Sequence, residues 1–144
     1  MTTRLATGLI LIIAVAAGLA RGMEAQERAR TEAGIQAISW DSWLVAKTKA
    51  EENDAAGNLV AALQYYLEYV RQAQGLNSPA RVAWGKNNAA YMIIKMHRQD
   101  ATVDLTPAEK LLEEGLAIPE ASEDCRRVLS TNLEHVKLSL GRTP

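Results

Sequence analysis

The sequence predicts an all-α chain of five helices paired as antiparallel hairpins. Apolar residues recur at spacings of three and four, and no stretch alternates apolar with polar for long enough to make a strand. Ala is abundant, while the 144 residues hold only 9 Gly and 4 Pro, a balance that favours helices over a strand-and-turn sandwich. The stretches between periodic segments are short and polar, so consecutive helices are expected to be antiparallel neighbours.

A first helix is predicted over 36–53. Ile35 and Ile38, then Trp43 and Ala46, stand three apart with Leu44 beside them, and the polar stretch 47–54 ends the element. The second, over 56–74, has the clearest apolar face: Leu59, Ala62, Leu63, Tyr66, Leu67 and Val70, widened by Tyr65 and Tyr69. Asp54 or Asn58 is expected to cap its start, and Gly75 to follow it in the left-handed conformation. Ser78-Pro79 opens a third helix to about 98, with Ser as N-cap and Pro in the first turn. Its apolar positions are Val82, Tyr91, Met92, Ile94 and Met96, with Ala83, Gly85, Ala89 and Ala90 between them. Thr106-Pro107-Ala108-Glu109 opens a fourth helix over 107–117, Thr106 capping and Glu109 reaching back to close a capping box. Leu111, Leu112 and Leu116 point inward, and Pro119 closes the element. Ser122 caps a fifth helix, with Glu123 and Asp124 suited to the dipole of its first turn. Val128, Leu129, Leu133, Val136 and Leu140 form its stripe, and Gly141 ends it.

The N-terminus carries its own signal. After Arg4, the uncharged run 5–20 is too short for an ordinary spanning helix and suits the core of an export signal. Gly18 and Ala20 favour cleavage after Ala20, with a later cut as far as Ala25 as the second option. Residues 1–20 are therefore expected to be a signal peptide, 21–35 a linker or frayed helix, and 36–141 the folded domain. The alternative is that 5–20 is retained as a single membrane anchor. No Cys follows the run, which closes the lipidation route, and no Arg pair precedes it. Cys125 is the only cysteine, so no disulfide forms within the chain, and it is expected to be a buried small hydrophobe unless it pairs with another chain.

Composition and motifs narrow the function classes. Lys plus Arg is 16 and Asp plus Glu is 17, a net charge of −1 that argues against a nucleic-acid binder. His97 and His135 have no second ligand type at helical spacing, so neither a metal nor another cofactor is expected. There is no Ser or Cys nucleophile motif and no glycine-rich phosphate loop. Glu51-Glu52 and Glu113-Glu114 are adjacent in helices, point about 100° apart, and read as solvated faces. An enzyme is not expected.

The stretch 84–91 resembles the opening of a tetratricopeptide repeat, W-x2-L-G-x2-Y, in Trp84 and Tyr91, with Asn87 and Asn88 in place of the Leu and Gly. Gly57, Ala62 and Tyr66 resemble the turn glycine, small contact residue and aromatic of that family's second helix. Ala108, Leu112 and Gly115 repeat a small–large–small rhythm, and Pro119 sits near the closing proline. The resemblance covers about 40–140 and implies hairpins stacked as about two such repeats plus a capping helix. It also implies that Trp84 is a core residue, and that Val82, Gly85, Lys86, Ala89 and Met92 lie near a concave binding surface. Lys86 with Asn87 or Asn88 would then grip a peptide carboxylate or backbone.

The aromatic residues point the same way. Trp40, Trp43, Tyr65, Tyr66 and Tyr69 all fall in the first helix pair, where they either line an interface, as Trp and Tyr often do, or simply pack the first hairpin. Arg126 and Arg127 place positive charge where it opposes the helix dipole; they are candidates for an acidic partner or, equally, for pairing with Glu123 or Asp124. The expected partner-binding residues are Trp40, Trp43, Tyr65, Tyr69, Lys86, Asn87, Asn88, Met92, Arg126 and Arg127. The expected function is an exported adaptor or accessory subunit in the periplasm or outside the cell, holding another protein or peptide of a larger envelope complex. The alternative is a membrane-anchored structural subunit.

Overall fold

The computed structural model describes residues 36–142. The expected signal segment and linker lie outside the described residues. Five helices follow in order: α1 Trp40–Ala55, α2 Leu59–Gly75, α3 Pro79–Gln99, α4 Thr106–Leu116 and α5 Glu123–Ser139. Among the described residues there is no strand. None of these helices is long and apolar enough to cross a membrane.

Side-chain contacts fix the helix directions. Trp43 meets Tyr69, and the Ser39 backbone meets Gln72, so the start of α1 lies at the end of α2. Arg81 sits over Trp40 and Trp43, and Lys95 pairs with Asp54, so α1 and α3 run parallel. Lys86 pairs with Glu114 near one end of α3, and His97 Nδ1 meets the Val103 carbonyl at the other, so α4 returns antiparallel. Glu109 pairs with Arg142 and Glu113 with Lys137, so α5 runs back along α4. Asn132 of α5 reaches Asn87 of α3 at 2.9 Å. The result is stacked antiparallel hairpins plus a C-terminal helix: α1, α3 and α5 run one way, α2 and α4 the other.

α3 is central because its buried residues enter every core cluster. Ile94 joins Leu105, Leu112, Cys125, Leu129 and Val136 from α4, α5 and the loop before α4. Ala89 and Met92 join Ala50, Leu59, Tyr65 and Tyr66. Val82 joins Ala46, Tyr69, Val70 and Ala73. Leu112 and Leu129 are fully buried, which contributes about 1.5–3 kcal/mol each. Gly85 lets α2 and α3 approach: a Cβ there would stand 2.5 Å from Tyr69 Cδ1.

Several ends differ from expectation. α1 begins at Trp40, not 36, because Ser39 is extended (φ −160°, ψ 160°) and its hydroxyl accepts from the Ser42 N–H at 3.0 Å. Asn58 precedes α2 without a side-chain capping bond, and Asp54 takes Lys95 instead. Gly75 is the last residue of α2; the left-handed residue is Asn77 (φ 50°). Gly75 answers a close approach instead, since a Cβ there would stand 2.7 Å from Ile38 Cγ2. Ser78 makes no capping bond, although Pro79 does open α3. Thr106 does not close a capping box with Glu109, because the Glu109 carboxylate takes Arg142 and Asp104 Oδ1 accepts the Thr106 N–H at 2.9 Å. Ser122 caps α5 as expected, accepting from the Cys125 N–H, and Gly141 follows it with φ 68°. Trp84 is half-buried against the α3–α5 core rather than enclosed by it.

Candidate binding face

The site is built around a held strap. Residues 36–39 run extended into α1 and are clamped from α2. Gln72, fully buried, accepts the Ser39 N–H at 3.0 Å and donates to the Ala37 carbonyl at 3.1 Å. It also donates to the buried carboxylate of Glu68 at 2.9 Å. Arg71 grips Glu68 with two bonds, at 2.7 and 2.6 Å, and the Gln36 carbonyl at 2.5 Å. The buried acid is therefore paired and hydrogen-bonded, the condition under which a buried charge is tolerated.

The strap fixes the start of α1, and there the apolar surface emerges. Trp40 is 50% exposed, Leu44 53%, Val45 43% and Ile38 42%. Trp40 packs edge-on against Trp43 at 6.0 Å, and the Arg81 guanidinium lies 4.9 Å from one ring and 5.1 Å from the other. Such cation–π contacts draw the guanidinium onto the ring faces, each worth about 0.5–1 kcal/mol at an exposed site. Trp43 is half-buried, and its indole N–H makes no hydrogen bond of good geometry. It still acts on Tyr69, whose hydroxyl is pushed up by burial and pulled part of the way back by Trp43.

From Arg81 a second stripe runs along α3. Arg81, Trp84, Asn88, Tyr91, Lys95 and Arg98 recur at three and four and share one face. All six are exposed or half-exposed. The flanks of that face are closed. On one side Gly85 and Met92 turn toward the first hairpin, and on the other Asn87 bonds Asn132 of α5. The stripe is therefore the open face of α3, with α1 on one side and α5 on the other. Lys95 and Arg98 both stand over Tyr91, at 5.5 and 6.0 Å.

The expected binding residues divide sharply. Trp40 is open, and Trp43 and Asn88 are partly so. Tyr65, Tyr69, Asn87 and Met92 are buried in the core and offer no surface. Val82, Gly85 and Ala89, expected near a concave surface, are likewise enclosed, because that flank of α3 packs against α2. Lys86 bonds the Glu114 carboxylate, which it holds below the usual range. Arg126 donates to the carbonyls of Leu116, Ile118, Pro119 and Ala121 and so caps the end of α4. Arg127 is exposed and pairs with Asp124. Sequence reading missed Leu44 as a surface residue and missed Arg81, Lys95 and Arg98 altogether. Their spacing was legible, but a polar stripe carries no sign of which neighbours flank it.

Among the described residues no three His, Cys, Asp or Glu side chains converge as metal ligands would. Cys125 is buried, and burial raises its thiol pKa. A shallow apolar depression of about 170 Å³ lies between α4 and α5, lined by Leu116, Ser130, Leu133, Glu134 and Lys137. No protein-family model matches the chain, and no curated protein or solved structure matches it.

Proposed function

We propose that this protein is a helical binding module, an exported adaptor or accessory subunit that holds another protein of the cell envelope through α1 and the adjoining face of α3. One observation carries the reading. Of the seven large apolar side chains exposed among the described residues, four (Ile38, Trp40, Leu44 and Val45) lie within eight positions of one another in the strap and the start of α1. Scattered apolar residues are ordinary, whereas a concentration around a rigid Trp is what interfaces use. The outer face of α5 exposes Arg127, Thr131, Glu134 and His135, with Leu138 as its one exposed large apolar side chain, and this mostly polar face reads as a terminal cap.

The resemblance to tetratricopeptide repeats belongs to this proposal. Its support is the parallel layer of α1, α3 and α5, together with Ala62, fully buried where helices meet. The alternative reading, a membrane-anchored subunit, keeps the apolar run 5–20, and the intact mass of the mature protein separates the two. The adaptor is tested by purifying the protein from its native cell through a C-terminal tag. A stoichiometric partner that is lost on Trp40→Asp with Leu44→Asp supports the reading. A lone protein, or a partner indifferent to that pair, overturns it.

A further inference from the structure

The geometry points to an acidic, extended peptide segment of the partner as the occupant of the open face of α3 between α1 and α5. This rests on the adaptor reading and deepens it by naming the chemistry of the bound segment.

The argument begins with charge. Nine ion pairs absorb the described lysines and half of the arginines. Three described arginines make none: Arg81, Arg98 and Arg126. Arg126 spends its guanidinium on backbone carbonyls. The two without an acidic partner, Arg81 and Arg98, lie on the same stripe, one at each end of it. Of the acids beside it, Asp54 takes Lys95 and Glu51 takes Lys47, while Asp100 accepts from the Thr102 hydroxyl and N–H and makes no ion pair.

Between the two arginines the stripe offers Trp84, Asn88 and Tyr91, each half-exposed. Aromatic faces accept the apolar side chains of a strand-like segment, and an Asn amide can both donate to and accept from its backbone. Arg81 and Arg98 are 17 positions apart, about 25 Å along a helix. An extended chain covers that in about eight residues. The fitting segment therefore carries two Asp or Glu groups about seven to eight positions apart, with apolar residues between them. Trp40 and Leu44 of α1 extend the apolar contact.

The test is selection from an unbiased display library of dodecapeptides on the protein purified from its native cell. The inference expects enriched peptides with net negative charge and acids at that spacing. It also expects Arg81→Glu with Arg98→Glu to weaken a selected peptide about tenfold or more, the scale of two lost charge contacts turned repulsive. Arg127→Glu, on the outer face of α5, is expected to change affinity less than about twofold. Circular dichroism melts confirm that the exposed substitutions leave the fold intact. Enriched peptides without acidic bias, or affinity indifferent to Arg81 and Arg98, overturn the acidic segment while leaving the adaptor standing. No enrichment, with no partner co-purified, overturns both. Binding to phosphatidylglycerol vesicles, or a dimer in light scattering, that disappears with the same two substitutions assigns the face to a bilayer or a second copy and also overturns the inference.

Discussion

Replacing Gln72 with Leu removes the centre of the clamp that positions α1. Three hydrogen bonds of 3.1 Å or shorter disappear, from the Ser39 N–H, to the Ala37 carbonyl and to the Glu68 carboxylate, together with a longer one to the Gln36 carbonyl at 3.4 Å. The two neutral bonds contribute about 1 kcal/mol each and the bond to the charged group about 1.5–3 kcal/mol. Glu68 keeps its two bonds from Arg71, so its charge stays paired. The Leu side chain, in a fully buried position, returns about 1–2 kcal/mol of apolar burial. The net expectation is a destabilisation of about 2–3 kcal/mol, which for a domain of this size lowers Tm by about 10–15 °C. Two probes read it: far-ultraviolet circular dichroism for the helices and tryptophan emission, measured in a Trp84→Phe background so that it reports Trp40 and Trp43. Emission is expected to shift to the red at temperatures where the helical signal is still intact, because the strap and the first turn of α1 release first. A Tm within about 3 °C of the parent, or coincident transitions by both probes, refutes the assignment of Gln72 as the residue that holds α1.

Three further outcomes follow from the same structure. Gly85→Ala drives a methyl to within 2.5 Å of the buried Tyr69 ring and 2.7 Å of Val70 Cγ2; overpacking offset by better helix propensity leaves a net loss of about 1–2 kcal/mol, read as a lower urea midpoint. Arg126→Met removes hydrogen bonds to four carbonyls, of which Ile118 keeps the Ala121 N–H, and is expected to cost about 2 kcal/mol, whereas Arg127→Met stays within about 0.5 kcal/mol. Tyr66 carries a pH dependence: burial, helped by Glu51 and Asp54, pushes its hydroxyl from 10.0 up to about 12. The raised value means that the folded state holds its proton more tightly, so this contribution is complete below about pH 10 and is lost as pH rises through about 12. Urea midpoints across that range show the loss, and Tyr66→Phe removes its share of the slope.

What could be read in the sequence was local. Pro79, Ser122 and Gly141 act within a turn of their own position, and the structure uses each as its chemistry suggests. Where a neighbour in sequence competes for the same task, the reading slipped. Asn77 takes the left-handed turn expected of Gly75, and Asp104 takes the N–H expected of a capping box. Long-range partners were illegible. Gln72 meets residues 33 and 35 positions away, and nothing in the composition of α2 marks it as a clamp. The same limit applied to the face. Leu44 reads as core because it is apolar, yet α1 buries only Ala46 and Ala50 and leaves Trp40, Leu44 and Val45 outside. Tyr65, Tyr69 and Met92 read as surface candidates because their side chains suit interfaces, yet the approach of α2 to α3 encloses them.

The central claim, that the α1–α3 face is where a partner sits, is tested most directly by photocrosslinking in the native cell. A benzophenone side chain is placed in turn at Leu44, at Asn88 and at Glu134 on the outer face of α5. The account predicts one discrete crosslinked protein at positions 44 and 88 and none at 134. Equal crosslinking at all three positions, or crosslinking at 134 alone, contradicts it.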